Sequence, residues 1–344
     1  MSEDIKKGGA QTDDEDVARD PAGTARRLWR AAGRERWRLA VATVSAVFYV
    51  VFSLAAPAYS AGLVDLLWGN IQAAEAAGET YVVTLSNGGM QILAFLGLWT
   101  LAWVFYSIQT LVMASFAERL NLNLRQQISS KIARLPLSYF DAHQPGDTLS
   151  RATNDLDKVS EVLQRGLLQI IISALTYVGA VGIMITYNVL LAGVFLAFSL
   201  AALVLTRLAA ACTLNAYAKR QAALGRLTGK VEEAYSGRLV IKAFGRDGAS
   251  SAEMRAAADE LADTGALADF LSQAVGPAIR LLGRFAMVVC GLLAGGMLIA
   301  GQITVGVFQS FFQFVTTANE PLTQLSMTVN MLQGALAAAE RVFD

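Results

Sequence analysis

Four stretches of 26 residues or more in this 344-residue chain contain no Asp, Glu, Lys or Arg: residues 39–64, 80–117, 166–206 and 285–319. A helix rising about 1.5 Å per residue needs roughly 20 apolar residues to cross a hydrocarbon core of about 30 Å. The first two stretches each predict one membrane span. The third holds Tyr187-Asn188 at its middle and the fourth Gly301-Gln302, so each reads as two spans joined by a tight turn. Six spans are expected in all.

Charge orients them. Nine Lys or Arg lie in the segment ending at Arg38, seven between spans two and three, eleven between spans four and five, and Arg341 in the tail, which accounts for all 28. The other three connections carry none, and the one after span one has Asp65, Glu75 and Glu79. The positive-inside rule then puts both termini in the cytoplasm of a multi-pass protein in the inner (plasma) membrane. Trp37 and Trp68 bracket span one about 46 Å apart if helical, close to a bilayer with its headgroup zones.

Composition changes this picture little. With 54% hydrophobic and 16% charged residues the chain is richer in apolar groups than a soluble domain. Residues 1–24, with the Asp13–Asp16 acidic run, read as a disordered cytoplasmic tail. No apolar h-region precedes residue 39, so the first span itself would direct insertion. Cys212 and Cys290 read as apolar packing residues. His143, the one histidine, leaves no way to build a metal site of several His ligands. No catalytic residue is expected.

The two large charged loops, about 48 and nearly 80 residues long, exceed any structureless connection. No proline occurs from Gly146 to Gly276, so helix is expected there. Residues 90–135 read as one helix of about 69 Å, which must project roughly 30 Å or more into the cytoplasm before stopping at Pro136. A compact segment follows to Gly146, and a helix resumes at Asp147, with Arg151 and Asp155 expected to pair on its surface. Span four likewise extends to about Phe244, residues 245–250 turn the chain, and Ser250 or Ser251 would cap the returning helix. Two helical hairpins with remote tips result, a design suited to transmitting force from a cytoplasmic machine.

At these tips the sequence resembles the six-span membrane domain of the ATP-binding cassette exporters. The first loop carries Pro136-Leu-Ser-Tyr-Phe140-Asp141, then Gly146-Asp147, Ser150-Arg151 and Asn154-Asp155-Leu-Asp157. The second carries Glu232-Glu233, Ser236-Gly237, Val240-Ile241-Lys242 and Phe244. Ile303-Thr-Val-Gly306, Pro321-Leu322 with Leu325, and the run from Ala337 to Asp344 complete the pattern, and Gly225-Arg-Leu-Thr-Gly with Asn330-Met-Leu-Gln resembles bacterial multidrug exporters. The resemblance implies an all-α membrane protein of six transmembrane helices with long cytoplasmic extensions, working as a domain-swapped dimer. It implies that Tyr139, Phe140, Asp141 and His143, and Phe244, Gly245, Arg246 and Asp247, contact nucleotide-binding domains. Residues 25–38 would be an elbow helix on the inner surface, its arginines meeting anionic headgroups, and 39–344 the membrane domain.

The nucleotide-binding domain itself is missing from the pattern. Gly225-Arg-Leu-Thr-Gly229-Lys230-Val231 has the wrong glycine spacing for a phosphate loop and sits within a helix. The chain is therefore expected to be a piece of a fused half-transporter, or to work with a separate ATPase polypeptide. ATP and Mg belong to that associated domain. The other partners implied are a second transmembrane subunit, identical or not, membrane lipid and a transported small molecule; nucleic acid is not among them.

Within the spans, Glu320 beside Pro321 reads either as a marker of the transport path or as a solvated or interhelical carboxylate. Arg280 and Arg284 attract an anionic substrate or headgroup, or snorkel to the inner boundary. Phe105, Tyr106, Phe311, Phe312 and Phe314 line an apolar cavity or contact lipid and neighbouring helices. Gly291 and Gly295, with Gly296 beside them, permit close packing or a hinge. The function expected is ATP-driven export of a hydrophobic or amphipathic drug, lipid or peptide by alternating access. The alternatives are an ATP-independent channel or secondary transporter, which needs no such hairpins, and a receptor-like scaffold.

Overall fold

A computed structural model describes residues 20–142 and 145–343, and among these it contains helices and no β-strand. A short helix α1 (Pro21–Ala31) is followed by a 3-10 turn (Gly33–Glu35), then the long helices α2 (Arg36–Ala76) and α3 (Gly89–Ile132). Two single turns, α4 (Leu137–Ala142) and α5 (Pro145–Ser150), and a π-helical turn (Arg151–Asp155) lead into α6 (Leu156–Tyr187). Then come α7 (Val189–Ser236), the short α8 (Arg238–Ala243), α9 (Asp247–Ile299) and α10 (Val305–Phe343). The expected tail up to residue 19, His143 and Asp344 lie outside the described residues.

Several boundaries differ from expectation for local reasons. Helix α1 begins at Pro21 rather than residue 25, because the Asp20 carboxylate accepts the Gly23 N–H at 2.9 Å and proline suits the first helical position. Arg36 to Arg38 belong to α2, not to the elbow. The helix expected to run to Phe244 breaks at Gly237 and resumes as α8. The returning α9 starts at Asp247, with Ser250 already donating its N–H to the Arg246 carbonyl at 3.1 Å, so neither Ser250 nor Ser251 is its cap. The turn at Asn188 is as expected: its backbone is extended, and its side chain accepts the Leu191 N–H at 3.1 Å to cap α7. Gly301 turns the chain before α10 with φ at +71°, a conformation natural to glycine.

Among the described residues, five helical segments are long and apolar enough to cross a membrane: Gly33–Ala76, Gly89–Ile132, Thr148–Tyr187, Val189–Ser236 and Asp247–Ile299. Helix α10 is also long, at 39 residues, and Gln309, Gln313, Asn319 and Glu320 interrupt its apolar run. Bulky apolar side chains cover the outside of the helices; Trp103 is 67% exposed and Leu111 71%. Small residues such as Ala42, Ala46, Ala117, Ala180, Ala294 and Ala318 are buried. That inversion suits a lipid solvent, in which small side chains let helices approach.

The chain divides into two compact units. The first comprises residues up to Val194 together with Val289–Asp344, the second Phe195–Val288. In the first, α2 packs on α3, α6 on α10, and α10 on both α2 and α1. Its lower core joins Met113, Phe116, Leu120 and Leu124 of α3 to Leu156 and Leu168 of α6, with Ala32, Ala42 and Ala46 beside them. The second unit is the antiparallel pair of α7 and α9. Three ion pairs cross it: Arg220 to Asp269 at 2.8 Å, Arg226 to Glu260 at 2.6 Å and Lys230 to Glu253 at 2.8 Å.

Candidate functional site

The first tip is α4, begun by Pro136, whose carbonyl accepts the Tyr139 N–H at 3.0 Å. The Tyr139 and Phe140 rings meet edge to face, 5.7 Å between centroids. Phe140 and Leu137 are exposed, the latter by 82%, and Asp141 is exposed beside them. The second tip closes on Gly245, at φ +64°. Phe244, Gly245 and Arg246 donate backbone N–H groups to the Val240, Lys242 and Ile241 carbonyls, so the last turn of α8 is satisfied without side chains. All four residues expected here, Phe244, Gly245, Arg246 and Asp247, are exposed.

What the sequence reading missed at this tip is its apolar surface. Tyr235, Leu239, Val240 and Phe244 are 79%, 81%, 61% and 76% exposed, and they recur at helical spacing around the Gly237 break. Large apolar groups left exposed in a charged segment are unusual on a surface that faces water alone. The signal was present as Leu239-Val240 and Phe244 in an otherwise polar loop. Below the turn, a cleft of about 190 Å3 is lined by Lys230, Glu233, Ile241, Arg246 and Glu253. Hydrogen bonds from Lys230 hold the Glu253 carboxylate below its ordinary pKa, and the same bonds, with Glu233 at 3.3 Å, hold Lys230 above its own.

The π-helical turn below α5 carries an ion pair that overturns the expected surface pairing of Arg151 with Asp155. Asp155 is 5% exposed, and the Arg341 guanidinium of α10 meets both its oxygens, at 2.7 and 3.1 Å. Arg151 instead donates to the Arg341 backbone carbonyl at 3.1 Å. Nearby, Glu340 accepts the Asp20 N–H at 3.1 Å, and Leu28, Val159, Leu163, Ala338, Ala339 and Phe343 pack together. The end of α10 is thus bound to α1 and to the base of α6. A further groove of about 610 Å3 runs between α3 and α6, lined by Glu118, Arg125, Asp157, Ser160, Glu161 and Arg165, with Arg125 bonded to Asp157.

Of the expected substrate-path residues, Phe311, Phe314 and Glu320 belong to the first unit and Arg280 and Arg284 to the second. Phe311 and Phe314 are 1% and 0% exposed; Phe314 lies 6.0 Å from the Tyr187 ring, so these two fill helix packing rather than line an open path. Glu320 is exposed on α10. Arg280 and Arg284 are exposed on α9 in the other unit. Of the glycines, a Cβ at Gly291 would meet Phe312 at 2.9 Å, whereas Gly295 and Gly296 face open space. The closest approach lies elsewhere: a Cβ on Gly306 would sit 1.9 Å from the Ala61 carbonyl oxygen, and Asp65 accepts the Gly306 N–H at 2.7 Å. Gly225 and Gly229 lie inside α7, where helical bonding commits the backbone amides a phosphate loop would need.

These features define a multi-pass helical membrane protein with extended helical loops. Residues 39–322 match the family model of the ABC transporter transmembrane region. The chain is 31% identical to the fatty acid ABC transporter ATP-binding/permease protein of Mycobacterium bovis, over 95% of this chain and 56% of that protein. It is 26% identical to an uncharacterized ABC transporter ATP-binding protein of Bacillus subtilis, covering 95% and 52%, and 29% identical to the ATP-dependent lipid A-core flippase of Thiobacillus denitrificans, covering 73% and 43%. It spans about half the length of these curated relatives. The chain belongs to the ABC transporter transmembrane family.

Proposed function

We propose that this chain is the membrane part of an ATP-driven exporter that moves a hydrophobic or amphipathic molecule out of the cytoplasm by alternating access. The observation that carries the reading is the exposed apolar turn at the second tip, Leu239, Val240 and Phe244. A nucleotide-binding domain seated there would cover those side chains, and the α4 tip with Tyr139, Phe140, Asp141 and His143 would dock on such a domain as well. ATP and Mg act in that domain. A second transmembrane subunit completes the pathway, six spans per chain cross the inner membrane, and both termini are cytoplasmic. The names of two relatives specify fatty acid and lipid A-core, both amphipathic, which supports cargo of that kind.

ATP biases the two states because it binds one of them better; a ligand shifts an equilibrium only through that preference. The buried Asp155–Arg341 pair gives the movement a second route, since it joins the end of α10 to the base of α6. The test is uptake of a lipid-soluble dye into inside-out vesicles holding the full-length polypeptide. Uptake that needs ATP is expected; uptake at the same rate without ATP overturns the reading.

A further inference from the structure

Residues 145–187 form one continuous helix from α5 through α6, and the π-helical turn Arg151–Asp155 lies within it. A π turn bonds residue i to i+5 where an α turn bonds i to i+4, so it holds one residue more than the helix on either side; such single turns are frequent at functional sites. Two local bonds accompany the wide turn. The Leu149 carbonyl accepts the Thr153 hydroxyl at 2.8 Å, and the Leu156 N–H closes the turn on the Thr153 carbonyl.

The extra residue decides where the preceding helix points. Each residue of an α-helix turns the chain by about 100° and advances it by about 1.5 Å. Changing the π turn to an α turn with no residue lost therefore rotates α5 by about 100° about the helix axis and moves it about 1.5 Å away from α6. The α4 tip, next along the chain, follows α5.

Two sets of partners match these two registers. In the π register Arg151 reaches α10 and donates to the Arg341 carbonyl at 3.1 Å, while the Arg341 guanidinium meets both oxygens of the buried Asp155 at 2.7 and 3.1 Å. In an α register Arg151 turns off α10 and stands four residues before Asp155, the spacing at which acidic and basic side chains pair along a helix. Arg341 engages both oxygens of Asp155, so that second pairing is open to Arg151 only when the end of α10 moves off.

We propose that residues 151–155 are a register switch set by Arg341. With the end of α10 docked the turn is π-helical; when that end withdraws, Arg151 pairs with Asp155, the turn becomes α-helical, and α5 and the first tip rotate. The switch deepens the exporter reading and rests on it only for what the tip touches. Pulsed electron paramagnetic resonance tests it on the full-length protein in nanodiscs without nucleotide, with spin labels at the exposed Leu149 of α5 and Leu122 of α3 and all other cysteines removed. The wild type should give one separation, and Arg341→Gln should add a second that differs by about 5 Å or more, as a turn of about 100° carries the label round the axis. Thr153→Ala, which removes the hydroxyl bond to Leu149 and favours α-helix, should add the same second separation and serves if Arg341→Gln does not fold. Deleting Ala152 removes the extra residue, so it should keep the wild-type separation, and Arg341→Gln in that background should change nothing. A pair that only held the fold together would loosen both backgrounds alike. The wild-type separation alone in the folded variants overturns the proposal, as does a label moved by the deletion or by Arg341→Gln within the deletion background. Because no ATP is present, a negative result leaves ATP-driven transport standing, and loss of ATP dependence leaves the switch standing.

Discussion

Asp155 shows most directly how one residue's role depends on partners far away in the chain. Its carboxylate is buried and held by Arg341, 186 residues on, so removing it takes both of these bonds from a guanidinium that is largely out of water. Breaking such a pair typically costs about 3 kcal/mol or more. Asp155→Ala should therefore lower thermal stability of the full-length protein markedly, and the apolar double change Asp155→Leu with Arg341→Met should recover most of the loss. Melting curves in detergent check both. Glycine gives a second contrast. Gly306→Ala drives a methyl group into the Ala61 carbonyl and should destabilise by separating α2 from α10. Gly295→Ala meets nothing and should be neutral or stabilise by up to about 1 kcal/mol through helix propensity.

At the scale of elements, the α7–α9 pair is held in its charged part by exposed ion pairs, which salt screens. The sign of its pH response follows from the shifted groups. Glu253 is depressed in the folded state, so its contribution is present above its ordinary pKa of 4.5 and is lost as pH falls through the folded value. Lys230 is raised, so its contribution is full below 10.5 and lost as pH rises through its folded value. The stability difference between wild type and Glu253→Gln should thus be constant from about pH 5 to 10 and should vanish in acid. Melting temperatures across that range measure it.

The long helices were legible because charge-free stretches, Pro136, Asn188 and Gly301 are local signals. Other features were not. Nothing near Asp155 in sequence names Arg341 as its partner, and Arg151 at helical spacing was the nearer choice. Gly237 and the π-helical turn interrupt helices without a proline to mark them. Gly291 and Gly295 share one motif, yet only the first meets another side chain, a distinction set by which faces pack. Phe311 and Phe314 looked like path residues by composition, whereas burial against neighbouring helices is a tertiary fact. The tip residues were found by resemblance, and their apolar neighbours Tyr235 and Leu239 only by exposure.

For the whole molecule, the proposed orientation gives each side of the membrane its own chemistry. A cysteine placed at Ser86, in the turn between α2 and α3, should react with an impermeant maleimide only from outside the cell, and one at Ser251 only from inside, in a background lacking Cys212 and Cys290. Labelling both positions from the same side would refute the six-span, inside-terminus arrangement. The central claim is that motion enters through the second tip. It is tested most directly by replacing Leu239 and Phe244 with serine in the full-length polypeptide and measuring transport per ATP hydrolysed. The account predicts that hydrolysis continues while transport falls at least tenfold. Unchanged transport per ATP would contradict it.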